Sequence, residues 1–331
     1  MRPAALLLVV LLLAACGGGD DEPARDDPRL AGPPTLLFAA LERGGSWDIV
    51  VEDVATKKRT NLTNTPGRGE VGEDDRSPAL SQDGRLIAYT STADHADDSQ
   101  VAEELFVMRR DGSNQRRLTE NDDVDIDPQW TPAGRVFFTT CPSTGEAVST
   151  CQIDLIWPNG TDQRTVVPDL GFAYGVALAP GGDRLAYGRY DEDLRPQGLF
   201  VFDLESDEEE RIADGAGPAW SPDGERIAFF SDRDENGRCL FHDCAGHAGE
   251  LYVVDADGSG ERRLTETTEH EAYAGWTPDG EWILFSRIAD EEGDYDLYAV
   301  RADGECEVQL TDTPEWEWSP SWTGPTDSLE C

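Results

Sequence analysis

The chain has 331 residues and a formal net charge of −41. That acidity excludes nucleic acid and anionic lipid as partners of the globular part, because both would repel it. Whether it reflects high-salt adaptation or only a solvated acidic surface, it favours solubility and cationic partners and names no substrate.

The N-terminus, "MRPAALLLVVLLLAACGGGDD", has an early Arg2, an apolar run from Ala4 to Leu13, and small residues before Cys16. That run is too short to span a bilayer and reads as the hydrophobic region of a signal peptide over residues 1–15. The "LAAC" ending resembles the lipobox of bacterial lipoproteins. The resemblance implies cleavage before Cys16 and lipid attachment there, the only expected contact with a membrane. Residues 16–34 are rich in Gly, Pro and Asp with little to bury, and are predicted to be a disordered stalk. The expected location is the cell envelope, periplasmic or on the outer surface. Gly17 leaves the membrane leaflet open.

From Thr35 onward one unit recurs. "SPALSQDGRLIAYTS" from Ser77, "DPQWTPAGRVFFTT" from Asp127, "GVALAPGGDRLAYGR" from Gly175, "GPAWSPDGERIAFFS" from Gly217 and "YAGWTPDGEWILFSR" from Tyr273 share one pattern. Each is a short strand, a tight turn, and a β-branched and aromatic strand. An outer strand such as "ELYVVDADG" and a polar end such as "ERRLTET" follow. The N-terminal "TLLFAALERGGSWDIVVEDVATKKRTNLTN" supplies a second, third and fourth strand, and the C-terminal "EWSPSWTGP" supplies a first. Five whole units plus one split unit, at a period of about 48 residues, predict an all-β fold. The expected architecture is a monomeric six-bladed β-propeller over residues 35–331, a single domain of four-stranded antiparallel blades. N- and C-terminal strands share one blade and close the ring, which removes exposed edges.

"WSPDGERIAFFSDRD" with "ELYVVDADGSGERRLT" is similar to the WD40-like repeat of TolB-type propellers. The similarity runs from Thr35 to Thr323 and implies a binding propeller. It departs from TolB proper, which has an additional N-terminal domain where this chain has the predicted stalk. Asp83, Asp223 and Asp279, each followed by Gly, are expected to fix β-turns. Trp130, Trp220, Trp276 and Trp322 recur at one phase and are expected between blades.

Seven cysteines suit an exported protein. Beyond Cys16, sequence order suggests Cys141–Cys151, Cys239–Cys244 and Cys306–Cys331, although six cysteines allow fifteen pairings. The stretch "SDRDENGRCLFHDCAGH" from Ser231 echoes the start of a calcium loop, yet Asp243 stands where a bidentate Glu is wanted. Cys239, His242, Cys244 and His247 also have spacing that would suit zinc or copper, the alternative to a disulfide there.

Tight connections between first and second and between third and fourth strands place the longer, varied connections on the opposite face. A rigid scaffold with variable loops on one side is the usual layout of a binding face. There, Asp125, Asp127, His270, Glu271, Tyr273, Trp316 and Trp318 are candidates to receive a cationic or sugar-like ligand or a basic peptide. The plainer reading of the same loops is solvated acidic surface. A nucleophile elbow and a phosphate loop are missing from the sequence, and it holds four histidines. The expected function is non-catalytic binding of a protein or cell-envelope ligand without a cofactor. A metal-assisted glycan lyase or hydrolase at the channel face is the alternative.

Overall fold

A computed structural model of the chain describes residues 29, 32–41, 45–63, 74–92, 103–142, 150–191, 196–233, 249–288 and 294–331. Among the described residues, twenty-four strands form six antiparallel four-stranded sheets, and these are the blades of a propeller. Blade 1 combines β24 (Trp316–Thr323) with β1 (Thr35–Leu41), β2 (Trp47–Asp53) and β3 (Lys58–Asn61). Blade 2 is β4 (Asp75–Leu80), β5 (Leu86–Ser91), β6 (Glu104–Arg109) and β7 (Arg116–Arg117). Blade 3 is β8 (Val124–Trp130), β9 (Val136–Cys141), β10 (Gln152–Ile156) and β11 (Arg164–Val167). Blade 4 is β12 (Ala173–Leu178), β13 (Arg184–Tyr190), β14 (Pro196–Asp203) and β15 (Glu209–Ala213). Blade 5 is β16 (Ala216–Trp220), β17 (Arg226–Ser231), β18 (Glu250–Asp255) and β19 (Arg262–Arg263). Blade 6 is β20 (Glu271–Trp276), β21 (Trp282–Ile288), β22 (Tyr295–Arg301) and β23 (Glu307–Gln309).

The ring closes as the split repeat predicts. β1 pairs antiparallel with β24, from Thr35 opposite Thr323 to Leu41 opposite Trp316. Cys306 and Cys331 form a disulfide that ties the tail after β24 to the turn between β22 and β23. Cys141 and Cys151 form a second, between the end of β9 and the residue before β10. Both pairings match the sequence-order expectation. Cys16, the predicted signal peptide, and the set Cys239, His242, Cys244 and His247 lie outside the described residues.

The repeated turn residues are structural. Asp83, Asp223 and Asp279 each accept from the hydroxyl of the residue two before and from the backbone N–H two after. The indoles of Trp130, Trp220 and Trp276 donate to the carbonyls of Ala79, Ala177 and Ala219, each on the innermost strand of the preceding blade. At these three seams one tryptophan thus fills the wedge between blades and satisfies its N–H there. Trp322 differs: its indole donates to Gly324 in its own chain segment, 3.0 Å away.

Each innermost strand carries a β-bulge at the same place. Two inner residues oppose one residue of the second strand between Ile126 and Gln129, and likewise in the other five blades. The first bulged residue has a left-handed backbone in every blade: Ser77, Asp127, Gly175, Gly217, Tyr273 and Ser319, with φ between 50° and 63°. The opposing residue is always a buried aromatic, such as Phe138 or Phe285. The bulge lets the inner strand bend round that ring and turns its first residue toward the central channel. At Gly175 a Cβ would stand 3.3 Å from the Gly217 Cα, so close inner-strand packing asks for glycine there.

Candidate functional site

Two residues before each bulged residue, the chain places a group at the seam with the preceding blade. At three seams it is a fully buried acid. Glu271 accepts from the Leu251 N–H and the Thr265 hydroxyl of blade 5, and from Arg287 on β21 at 2.6 and 2.8 Å. Glu317 accepts from the Thr311 hydroxyl and from Arg59. Asp125 accepts from Thr140 and from Asn121 of the connection leaving blade 2. All three are 0% exposed. Burial pushes each carboxyl up, Asp125 to about 6, while the hydrogen bonds and, for the two glutamates, the arginines pull it down. The threonine of each "Leu-Thr" is the other half of the latch: Thr119, Thr265 and Thr311 accept the backbone N–H of Leu105, Leu251 and Leu297. Asp125 and Glu271, two sequence candidates for ligand binding, therefore face the seams and not the channel mouth. His270 is buried as well, with its Nδ1 2.9 Å from the Tyr295 hydroxyl.

The other four candidates meet at the channel end nearest the starts of the inner strands. Tyr273, the first bulged residue of β20, stacks on Trp318 of β24 with centroids 5.1 Å apart. Trp318 lies 4.3 Å from Trp47 and 6.1 Å from Trp316, and Tyr295 packs edge-on against both Trp316 and Trp318. The Trp316 indole donates to Asp294 at 3.1 Å. The Trp318 indole N–H is buried with no acceptor among the described residues, which is rare for a buried donor. Tyr273 is 43% exposed, so this aromatic wall opens to solvent. A left-handed backbone at a bulky aromatic is uncommon and costs about 1–2 kcal/mol. Such strain is retained where the residue has another task.

Charged groups complete the mouth. Arg76, at the position in β4 that Trp318 holds in β24, reaches Asp74 at 2.6 Å and Glu103 at 3.2 Å. Its guanidinium lies 5.6 Å from the Trp47 ring centroid. Asp74 also accepts the Trp47 backbone N–H, which joins blades 1 and 2. Asp127, the bulged residue of β8, has no hydrogen-bond or ion-pair partner among the described residues. Burial and then the charge of Glu103 push its carboxyl up to about 6. Withdrawal from water and the Asp127 charge push the Tyr273 phenol up, with Arg76 opposing, so these groups share one field. Arg76, Asp74, Glu103 and Trp47 escaped the sequence reading. Arg76 had a signal, since it shares its repeat phase with Trp318; Glu103 and Asp74 had none.

Asp127 is held as an ionised group in a place that favours its neutral form. The folded-state pKa is raised above the ordinary 3.8, so the carboxylate destabilises the fold above pH 6 and the effect fades as pH falls from 6 toward 4. Asp127→Asn, which tolerates the left-handed backbone, is expected to raise Tm by about 2–4 °C at pH 7.5 and by much less at pH 4.5. An unchanged or lower Tm at pH 7.5, measured by calorimetry, would contradict the assignment.

No known protein-family profile matches the chain. It is 31% identical over 117 residues to "Uncharacterized peptidase YuxL" of Bacillus subtilis, covering 32% of this chain and 16% of that one. It is 28% identical over 109 residues to "Dipeptidyl-peptidase 5" of Porphyromonas endodontalis, covering 33% of this chain and 15% of that one. The chain thus spans about a sixth of the length of these curated relatives. Among solved structures, a putative TolB from Agrobacterium tumefaciens superposes with a TM-score of 0.60 at 17% identity, over 89% of this chain and all of that one. TolB from Acinetobacter baumannii gives a TM-score of 0.55 at 15% identity, over 88% and 83% of the two chains. An oligogalacturonate lyase in complex with manganese gives 0.50 at 16% identity, over 84% and 73%. The protein has the fold of a TolB-like six-bladed β-propeller, and the two disulfides among the described residues mark it as extracytoplasmic.

Proposed function

We propose that this is a lipid-anchored, monomeric, non-catalytic propeller that holds a protein or cell-envelope ligand at its channel mouth. The observation that carries the reading is the open aromatic wall of Tyr273, Trp318 and Trp316 together with Asp127, which has no partner among the described residues. Exposed aromatic surface beside polar groups, mounted on rigid strands, is the usual make-up of a recognition site. Anchoring rests on the lipobox-like sequence at Cys16, and a stalk there would let the propeller reach a partner away from the membrane. A metal-assisted lyase on this face is the second reading, suggested by the fold shared with the manganese-bound lyase.

The reading is tested by affinity capture from envelope extracts, followed by titration of the purified partner against two forms of the protein. Tyr273→Gly removes the ring and relieves the left-handed strain, so the fold is not penalised. The expected result is one saturable partner bound at least about tenfold more weakly by Tyr273→Gly. Undiminished affinity would move the binding site away from the mouth. Metal-dependent turnover of a glycan would favour the lyase.

A further inference from the structure

We propose that the channel mouth is a receptor for a guanidinium group, the side chain of an arginine in a segment of the partner protein, held between the Asp127 carboxylate and the exposed ring of Tyr273. This rests on the reading of the mouth as a binding site and adds the chemistry it selects.

A cation leaving water must recover its hydration from a carboxylate, from ring faces, or from both. The mouth already does this once with its own residue. Arg76 is held by Asp74 and Glu103 and lies over Trp47, so one guanidinium is held by two carboxylates and an indole face. The same mouth holds a further carboxylate and a further aromatic pair: Asp127 has no partner among the described residues, and Tyr273, 43% exposed, stacks on Trp318. Among these described residues, Asp74, Glu103 and Asp127 set three carboxylates against the one guanidinium of Arg76. The mouth therefore has unbalanced negative charge beside π faces.

The groups facing Asp127 come from several elements. Glu103 before β6 acts on Asp127, and Asp127, Arg76 on β4 and Glu103 act together on Tyr273 of β20. Blades 4 and 5 place Gly175 and Gly217 at the matching positions, so the chemistry is confined to the arc running from blade 6 through blades 1 and 2 to blade 3. A planar guanidinium suits this arc better than an ammonium, because it stacks on a ring while donating sideways to a carboxylate. The net charge of −41 adds long-range attraction for a basic partner, which raises the association rate at low salt.

The test is a tryptophan-fluorescence titration of the whole protein with two blocked peptides, Ac-Gly-Gly-Arg-Gly-Gly-NH2 and the same peptide with citrulline for arginine. Citrulline keeps the shape and removes the charge. The arginine peptide is expected to bind at least about tenfold more tightly at pH 7.5. Asp127→Asn is expected to erase that preference. Lowering the pH to 5, below the raised pKa of Asp127, is expected to reduce it severalfold. Equal affinity for the two peptides on the wild-type protein overturns the proposal without any variant having to fold. So does a preference that survives Asp127→Asn. If the peptides are not distinguished while the captured partner still loses affinity with Tyr273→Gly, the mouth binds but does not select a guanidinium. If the arginine preference holds while Tyr273→Gly leaves the partner's affinity intact, the guanidinium site stands and the partner docks elsewhere.

Discussion

Glu271→Ala is expected to lower the unfolding free energy by about 3–5 kcal/mol, the cost of leaving a buried charge network with one partner removed. Its two carboxylate oxygens accept four hydrogen bonds, two from blade 5 and two from Arg287 of its own blade. Removing it exposes the Arg287 side chain, itself only 12% accessible, to a site where Glu307 alone remains to balance it. The loss also opens the seam, because the Thr265 hydroxyl no longer has an acceptor in the next blade. A stability of about 5–15 kcal/mol is typical of a folded protein, so this one change consumes a large part of it. Glu271→Gln, which keeps the shape, is expected to cost less than half as much. Denaturant unfolding followed by tryptophan fluorescence reads both. A midpoint for Glu271→Ala within error of the wild type would mean that the seam is held by packing alone.

Opening the Cys306–Cys331 bridge by Cys331→Ser should be the next most damaging change. The bridge spans 25 residues, and the chain-entropy relation gives about 3.5 kcal/mol for a loop of that size. The Cys141–Cys151 bridge spans 10 residues, for which the same relation gives about 2.7 kcal/mol. Position widens the difference. Cys306 packs in the core cluster shared by β1, β21, β22 and Trp322, next to Leu329 of the tail. Without the bridge the tail can leave, and β24 loses the clip that holds it beside β1. Thermal unfolding should show a larger fall in Tm for Cys331→Ser than for Cys151→Ser. The reverse order would mean that strand pairing between β1 and β24 secures the ring without covalent help.

The repeat made the architecture readable. Six recurrences of one strand-turn-strand pattern carried the blade count, the split first blade and the turn roles of Asp83, Asp223 and Asp279, because each depends on neighbours within a few residues. The tryptophans at one phase were readable as seam residues for the same reason. The functional candidates divided differently. Asp125 and Glu271 looked like members of acidic loops, whereas tertiary contacts place them in the seams, Asp125 against Asn121 and Glu271 against Thr265. The left-handed bulge also passed unnoticed, although Ser77-Pro, Asp127-Pro, Gly217-Pro and Ser319-Pro stand at one phase.

By itself, then, the sequence determined that this protein is a closed six-bladed ring with tight turns on one face, through local periodicity that needs no knowledge of distant residues. Only the tertiary structure decided which acids are latches and that Asp127 is not one of them. Asp127, Tyr273 and Trp318 belong to blades 3, 6 and 1 and come together only because the ring closes around a common channel. Burial, which decides whether a carboxylate is spent on a seam or left for a ligand, is a property of that closure and not of any segment.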